Sequence, residues 1–196
     1  MSEITAAKVN ELRRRSGAGF VDCKKVLDEA GGDIEEAIVL LRKKGSATAA
    51  KKAGRETHAG LIESYIHNGG RIGVLLELNC ETDFVARNED FRELAADICL
   101  HIAASNPLYL SRDLVPQSVI DQEREIAAAQ VTGKPSAIAE KIVEGKMDKW
   151  FGQVCLLEQP FARNQDIRLE EHLAAVVSRI GENIRIGRFA RYQLGE

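Results

Sequence analysis

The 196-residue chain has little of several things that would declare a function outright. Its longest uninterrupted apolar runs are five residues, Ala37–Leu41 and Leu173–Val177. A membrane span needs roughly 18, so none is expected. Aromatic residues make up 5%, and Phe20 is the single one in the first 55 residues, so that region has no base-stacking platform for nucleic acid. The four cysteines, Cys23, Cys80, Cys99 and Cys155, stand far apart with no C-x-x-C. That spacing excludes a zinc ribbon and a disulfide framework, and it fits reduced thiols in a cytoplasmic core. The four histidines (His58, His67, His101, His172) form no H-E-x-x-H, and no serine sits in a G-x-S-x-G elbow. There is no phosphate loop ending in Gly-Lys-Ser/Thr. The glycines of 69–73 lead from strand to strand and offer no helix N-terminus to an anion. Catalytic residues, metal ligands and bound cofactors are therefore not expected. The Met-Ser-Glu-Ile-Thr start resembles neither a secretory nor an organelle-targeting segment.

What is present is a globular composition, 44% hydrophobic and 29% charged, with an uneven distribution of charge. Residues 1–55 hold 12 Lys/Arg against 8 Asp/Glu, a net +4, whereas the remainder holds 15 against 22, a net −7. The basic groups, Arg13–Arg15, Lys24-Lys25, Arg42–Lys44 and Lys51-Lys52, are interleaved with Glu11, Asp22, Asp28 and Glu35. A solvated helix face is the first reading, an acidic protein partner the second, and RNA a distant third.

The pattern divides the chain into three segments. Residues 1–45 read as three short helices, broken at Gly17-Ala18-Gly19 and at Gly31-Gly32, where glycine supplies the left-handed conformation of a C-terminal cap. Asp33 with Glu36 is a capping-box pair, followed by an apolar face at Ile34, Ala37, Ile38 and Leu41. Three short helices bury little, which suits a binding head better than an enzyme. Residues 46–59, rich in alanine and lysine without an apolar stripe, read as an exposed, partly helical linker that lets the head move independently.

Residues 60–196 form an α+β core with a small antiparallel sheet packed with helices. Leu61–His67 and the alternating Ile72, Val74, Leu76 and Leu78 predict two strands joined by an Asn68-Gly69-Gly70 turn. Asn88 is placed to cap a helix reaching about Asn106, before Pro107. Helices are predicted near 116–131 and 135–145, each opened by a proline, and over the face Leu169, Leu173, Val176, Val177 and Ile180. Val154–Gln159 and the stretch from Ile184 to Tyr192 predict further strands.

Asn79–Asn88 joins the end of a buried strand to a helix start, at the rim of the sheet, where binding residues concentrate. Phe84 beside Asp83 reads equally as an exposed anchor entering a partner's pocket or as a staple packed under the following helix.

Five segments, in order and spanning the chain, resemble the elongation factor Ts family of bacterial translation. They are Leu12–Leu27, Glu77–Arg87, Glu140–Met147, Leu157–Phe161 and Ile180–Ile184. The resemblance implies a guanine nucleotide exchange factor for the GTPase elongation factor Tu, promoting GDP release by disturbing its Mg²⁺ and phosphate site so that GTP rebinds. It implies that the three-helix head resembles ubiquitin-associated modules and docks through Leu12, Phe20 and Val21. Thr82, Asp83, Phe84 and Val85 correspond to the family segment that dislocates the partner's Mg²⁺, and Ile180 and Gly181 to a further contact. Family members often carry Met-Met where this chain has Phe20-Val21. A chain of this length has room for one core unit where longer members have two, so a homodimer giving a two-to-two complex is expected. No direct contact with nucleic acid or membrane is implied. The competing reading is a non-catalytic adaptor whose head binds a protein partner; the Thr82–Arg87 segment argues against it, since an adaptor has no use for Asp83-Phe84 at a strand end.

Overall fold

A computed structural model describes residues 4–131 and 135–196. The N-terminal segment folds as three helices, α1 (Ala6–Ser16), α2 (Phe20–Glu29) and α3 (Ile34–Lys52). Thr5 caps α1 by accepting the Lys8 N–H, and Gly17 ends it at φ 67°, a conformation that costs a side-chain-bearing residue about 1 kcal/mol or more. Asp33 caps α3 by accepting the Glu36 N–H at 2.9 Å. The other half of the capping box is replaced, because the Asp33 N–H donates to the Ala30 carbonyl instead. Val9, Leu12, Cys23, Val26, Leu27, Ala30 and Ala37 form the buried core of this bundle.

Helix α3 does not stop at residue 45. Residues 46–52 continue it without a break, since alanine and lysine are good helix formers and nothing in that run interrupts the backbone ladder. The segment read as a free tether is also anchored to α8 (Leu169–Ile180). Gly45 is buried where a Cβ would lie 3.7 Å from the Ala174 carbonyl oxygen, and Lys52 Nζ donates to the Gly181 carbonyl at 2.5 Å.

After α3 come β1 (Ala59–His67), β2 (Ile72–Cys80), α4 (Asp83–Ala86), α5 (Glu89–Ser105), α6 (Gln117–Ala129), α7 (Ser136–Val154), β3 (Pro160–Phe161), β4 (Asn164–Arg168), α8 and β5 (Ile184–Gln193). The fold is α+β, with a small antiparallel sheet of order β1-β2-β5 and a short antiparallel pair β3-β4. The β1–β2 turn takes left-handed φ at Asn68, Gly69 and Gly70, as the sequence predicts. Val74, Leu76, Leu78 and Cys80 are buried along β2, while Leu75 points out.

The chain divides into two compact units. One comprises Met1–Glu63, Glu77–Ala96 and Glu171–Gly187, and the other Ser64–Leu76, Asp97–Glu170 and Arg188–Glu196. In the second, α6 and α7 pack around Val115, Ala127, Val143, Met147, Phe151 and Cys155. Arg112 ties this hairpin to the turn after it, with two bonds to the Glu158 carboxylate at 2.5 and 2.6 Å, one to Asp148 at 2.8 Å, and its guanidinium 4.4 Å from the Phe151 ring centre.

Two predicted elements change here. Helix α7 runs on to Val154 rather than ending near residue 145, because Gly145 is exposed and its helix-interior cost, about 1 kcal/mol, is outweighed by the packing on either side. Val154–Gln159 is not a strand. It closes α7 and forms a 3₁₀ turn at Leu156–Glu158, with only an isolated bridge between Tyr109 and Cys155. The run is apolar because Cys155 and Leu156 are buried, and a short apolar run reads alike in strand and helix-end settings.

The same unit buries His101 completely. The Ala162 N–H donates to Nδ1 at 3.1 Å, so the ring proton sits on Nε2 and is donated to the Gln159 side-chain oxygen at 2.9 Å. Burial pushes the imidazole below its ordinary pKa. The unfolded chain therefore takes up this proton first, and its contribution to stability is present above about pH 6.5 and is lost as the pH falls below that value. Urea midpoints between pH 7.5 and 5 are expected to fall for the wild type, with a slope of up to about 1.4 kcal/mol per pH unit from this group. The fall becomes shallower in His101→Gln; equal slopes would show that His101 is not the group responsible.

Candidate functional site

Strand β2 delivers the chain to the site. Its last residue, Cys80, is buried, and its thiol donates to the Thr82 carbonyl at 3.2 Å. Burial pushes the Cys80 thiol up, as it does Cys23 in the helical bundle, so neither offers the thiolate a nucleophile requires. Among the described residues, no group of three or more His, Cys, Asp or Glu is placed to hold a metal ion.

Thr82 starts the four-residue helix α4. It has extended backbone angles and its hydroxyl accepts the Val85 N–H at 3.4 Å, the geometry of an N-cap. Asp83 lies in the first turn, where a carboxylate faces the positive end of the peptide dipoles. Ala86 is buried and roots the helix, Val85 is half-buried, and Asp83 is exposed. Phe84 is 88% exposed, the most exposed large apolar side chain among the described residues. That excludes the staple reading: Phe84 does not pack under the following helix. Asn88 caps α5 instead, accepting the Asp90 N–H at 2.8 Å, so the staple is not needed to set the helix entry.

The loop is held from the turn between α8 and β5. Glu182 accepts both the N–H and the hydroxyl of Thr82, at 3.1 and 2.7 Å. Glu81 accepts the Asn183 N–H at 2.6 Å and lies 3.4 Å from the Arg55 guanidinium. That N–H, with Arg55 after it, holds the Glu81 carboxyl below the usual carboxylate range. Asn183 is buried and donates to the Arg55 carbonyl at 2.7 Å, drawing in the chain just beyond α3. Arg179 pairs with Asp90 at 3.2 Å and donates to the Gly17 carbonyl at 3.3 Å.

The other predicted site residues lie in the same unit. Phe20 and Val21 open α2 and are 47% and 63% exposed, available for contact. Leu12 is fully buried in the helical core, so it supports the α1–α2 packing and has no surface of its own to offer. Ile180 ends α8 half-buried, and Gly181 follows at φ 88°, exposed, its N–H closing on the Val177 carbonyl. Glu81, Glu182 and Asn183 lie within the family-like segments, but nothing in the sequence gives their partners, and Arg55 carries no signal of its own. Only the folded chain brings residues 81–82 onto 182–183.

A capped four-residue helix thus presents one aromatic ring and one carboxylate to solvent, and the helical bundle presents Phe20 and Val21. The family model described as Elongation factor TS matches residues 3–196. Elongation factor Ts of Carboxydothermus hydrogenoformans is 56% identical over 195 residues, covering 98% of this chain and 90% of the relative. That of Syntrophomonas wolfei subsp. wolfei is 57% identical over 195 residues, covering 98% and 91%. That of Fervidobacterium nodosum is 55% identical over 196 residues, covering 99% and 100%.

Proposed function

The chain belongs to the elongation factor Ts family, and from that membership we propose that it is a guanine nucleotide exchange factor for elongation factor Tu, acting in the cytoplasm during translation elongation. It makes and breaks no covalent bond. The observation that carries the reading is Phe84, 88% exposed on a capped helix at a strand end. Leaving such a ring in water is unfavourable, and burying it in a partner recovers about 1.5–3 kcal/mol.

The physical logic is linkage. GDP is held on the GTPase partly through Mg²⁺ and the loop around its phosphates. A partner that binds best when that site is disturbed weakens GDP, and GDP weakens the partner by the same factor. Thr82, Asp83, Phe84 and Val85 are assigned to the disturbance, with Phe84 as the wedge and Asp83 as its polar companion. The head, residues 1–45, docks on the GTPase through Phe20 and Val21, and Ile180-Gly181 adds a further contact. Once GDP has left, GTP rebinds and displaces the factor. The deciding experiment is release of fluorescent GDP from elongation factor Tu with and without catalytic amounts of this protein. Unaccelerated release would sink the reading.

Assembly is assigned to the core. In the unit containing Ser64–Leu76 and Arg188–Glu196, Ile66, Leu75 and Tyr192 are exposed strand residues, between half and three-quarters accessible. Exposed apolar strand residues of this kind are covered most economically by a second copy, giving a homodimer that binds two GTPases. Leu75→Lys is expected to yield a monomer in sedimentation velocity runs at micromolar concentration where the wild type sediments as a dimer. A wild type that is monomeric and fully active would refute this assignment.

A further inference from the structure

Glu182 lies in the turn between α8 and β5, beside the exposed Gly181, and its carboxylate is spent on a single distant residue. Oε2 accepts the Thr82 backbone N–H at 3.1 Å and Oε1 accepts the Thr82 hydroxyl at 2.7 Å. The second bond has a consequence for α4. A hydroxyl has one proton, and committing it to a carboxylate leaves the oxygen's lone pairs free to face the Val85 N–H, which is the helix cap. The pattern is returned by the adjacent residues, one earlier on the first side and one later on the second, where Glu81 accepts the Asn183 N–H at 2.6 Å. A helix of four residues has almost no ladder of its own. The orientation of α4 therefore depends on bonds from outside it.

We propose that Glu182 is a positioning residue for nucleotide exchange. It fixes the Thr82 backbone and hydroxyl so that α4 holds Asp83 and Phe84 in one orientation before the partner arrives. This rests on the exchange function proposed above. Glu182 acts through Phe84 and touches no nucleotide. Its benefit is pre-organisation: a loosened α4 must be ordered during the encounter, which taxes the step that disturbs the Mg²⁺ site more than the initial docking by the head.

Three readouts test it on the full chain. In Glu182→Ala, the maximal rate of fluorescent GDP release from elongation factor Tu is expected to fall about tenfold, while the half-saturating concentration moves less than about threefold. Glu182→Gln keeps one acceptor oxygen but sets an amide donor against Thr82, so its rate falls between the two. Combining Glu182→Ala with Phe84→Ala is expected to be clearly less than additive, because the carboxylate works through the ring. Amide exchange at Thr82 and Val85 is expected to quicken about tenfold in Glu182→Ala, with α5 and β2 unchanged. If the wild type accelerates release but Glu182→Ala matches it, or adds fully to Phe84→Ala, the positioning role is overturned and the exchange function stands. If the wild type does not accelerate release, the exchange function falls and the rate consequence falls with it. Unchanged amide exchange at Thr82 and Val85 overturns the clasp itself.

Discussion

Replacing Phe84 with alanine is expected to slow partner-stimulated GDP release by about ten- to a hundredfold, the kinetic equivalent of losing one buried phenylalanine. The estimate rests on where the side chain sits. Phe84 is 88% exposed, so its removal takes nothing from the core, and folding stability is expected to stay within about 0.5 kcal/mol of the wild type. Thr82 still caps α4 through the Val85 N–H, and Ala86 still roots it, so the helix keeps its place. Complex formation is expected to weaken far less than release slows, because the exposed Phe20-Val21 patch and the Ile180-Gly181 turn remain. Stopped-flow release of labelled GDP, run against titration of the nucleotide-free complex, separates the two quantities. Unchanged release in a properly folded Phe84→Ala protein would remove the wedge from the mechanism. One ring does not supply the whole exchange effect, so a remnant of activity above the unstimulated rate is part of the expected result.

The second large effect lies inside the fold. Gly60 in β1 has φ 152°, and a Cβ there would stand 2.2 Å from the Leu78 carbonyl oxygen and 2.9 Å from the Asn79 Cα. Both neighbours are backbone, so no side-chain rotation relieves the clash. Gly60→Ala must push β1 away from β2 or twist the strand, at a cost of about 3 kcal/mol. For a chain of this size that lowers the melting temperature by about 6–12 °C. Gly145→Ala is the control. It lies in α7 with nothing within 4 Å of a Cβ, and there alanine is expected to be neutral or to stabilise by up to about 1 kcal/mol. Equal melting temperatures for Gly60→Ala and the wild type would show that the strand pair accommodates a methyl group.

The residues that were legible in the sequence are those whose neighbours in space are neighbours in the chain. Helices α1, α2 and α8, the β1–β2 hairpin and the cap of α5 follow from periodicity, glycine placement and Asn88, each within a few residues. The misread segments are locally ambiguous. Val154–Gln159 is apolar in the way of a strand, yet it ends a helix, because burial by packing leaves the same residue types as burial in a ladder. Residues 46–52 lack an apolar stripe and read as an exposed, partly helical linker; they do extend α3, and what the sequence leaves out is their tie to the α8 region, where Gly45 lies against the α8 backbone and Lys52 reaches the Gly181 carbonyl.

The candidate site divides along the same line. The place of Asp83-Phe84 at a strand end, and the family it belongs to, are written in contiguous residues and needed no coordinates. Whether Phe84 faces water or the core was not decidable from its neighbours in sequence, since an aromatic before a helix serves either purpose. Tertiary structure decides it: Ala86 and Asn88 already anchor the segment, so the ring is left outside. The clasp of Glu182 on Thr82 is likewise a product of folding. The chain determines by itself which helices and hairpin form and where the candidate segment falls, because those depend on local backbone preference and short-range periodicity. Only the folded state sets a carboxylate from one turn on a hydroxyl 100 residues away, because that contact depends on the packing of elements between them and on no local preference of either residue.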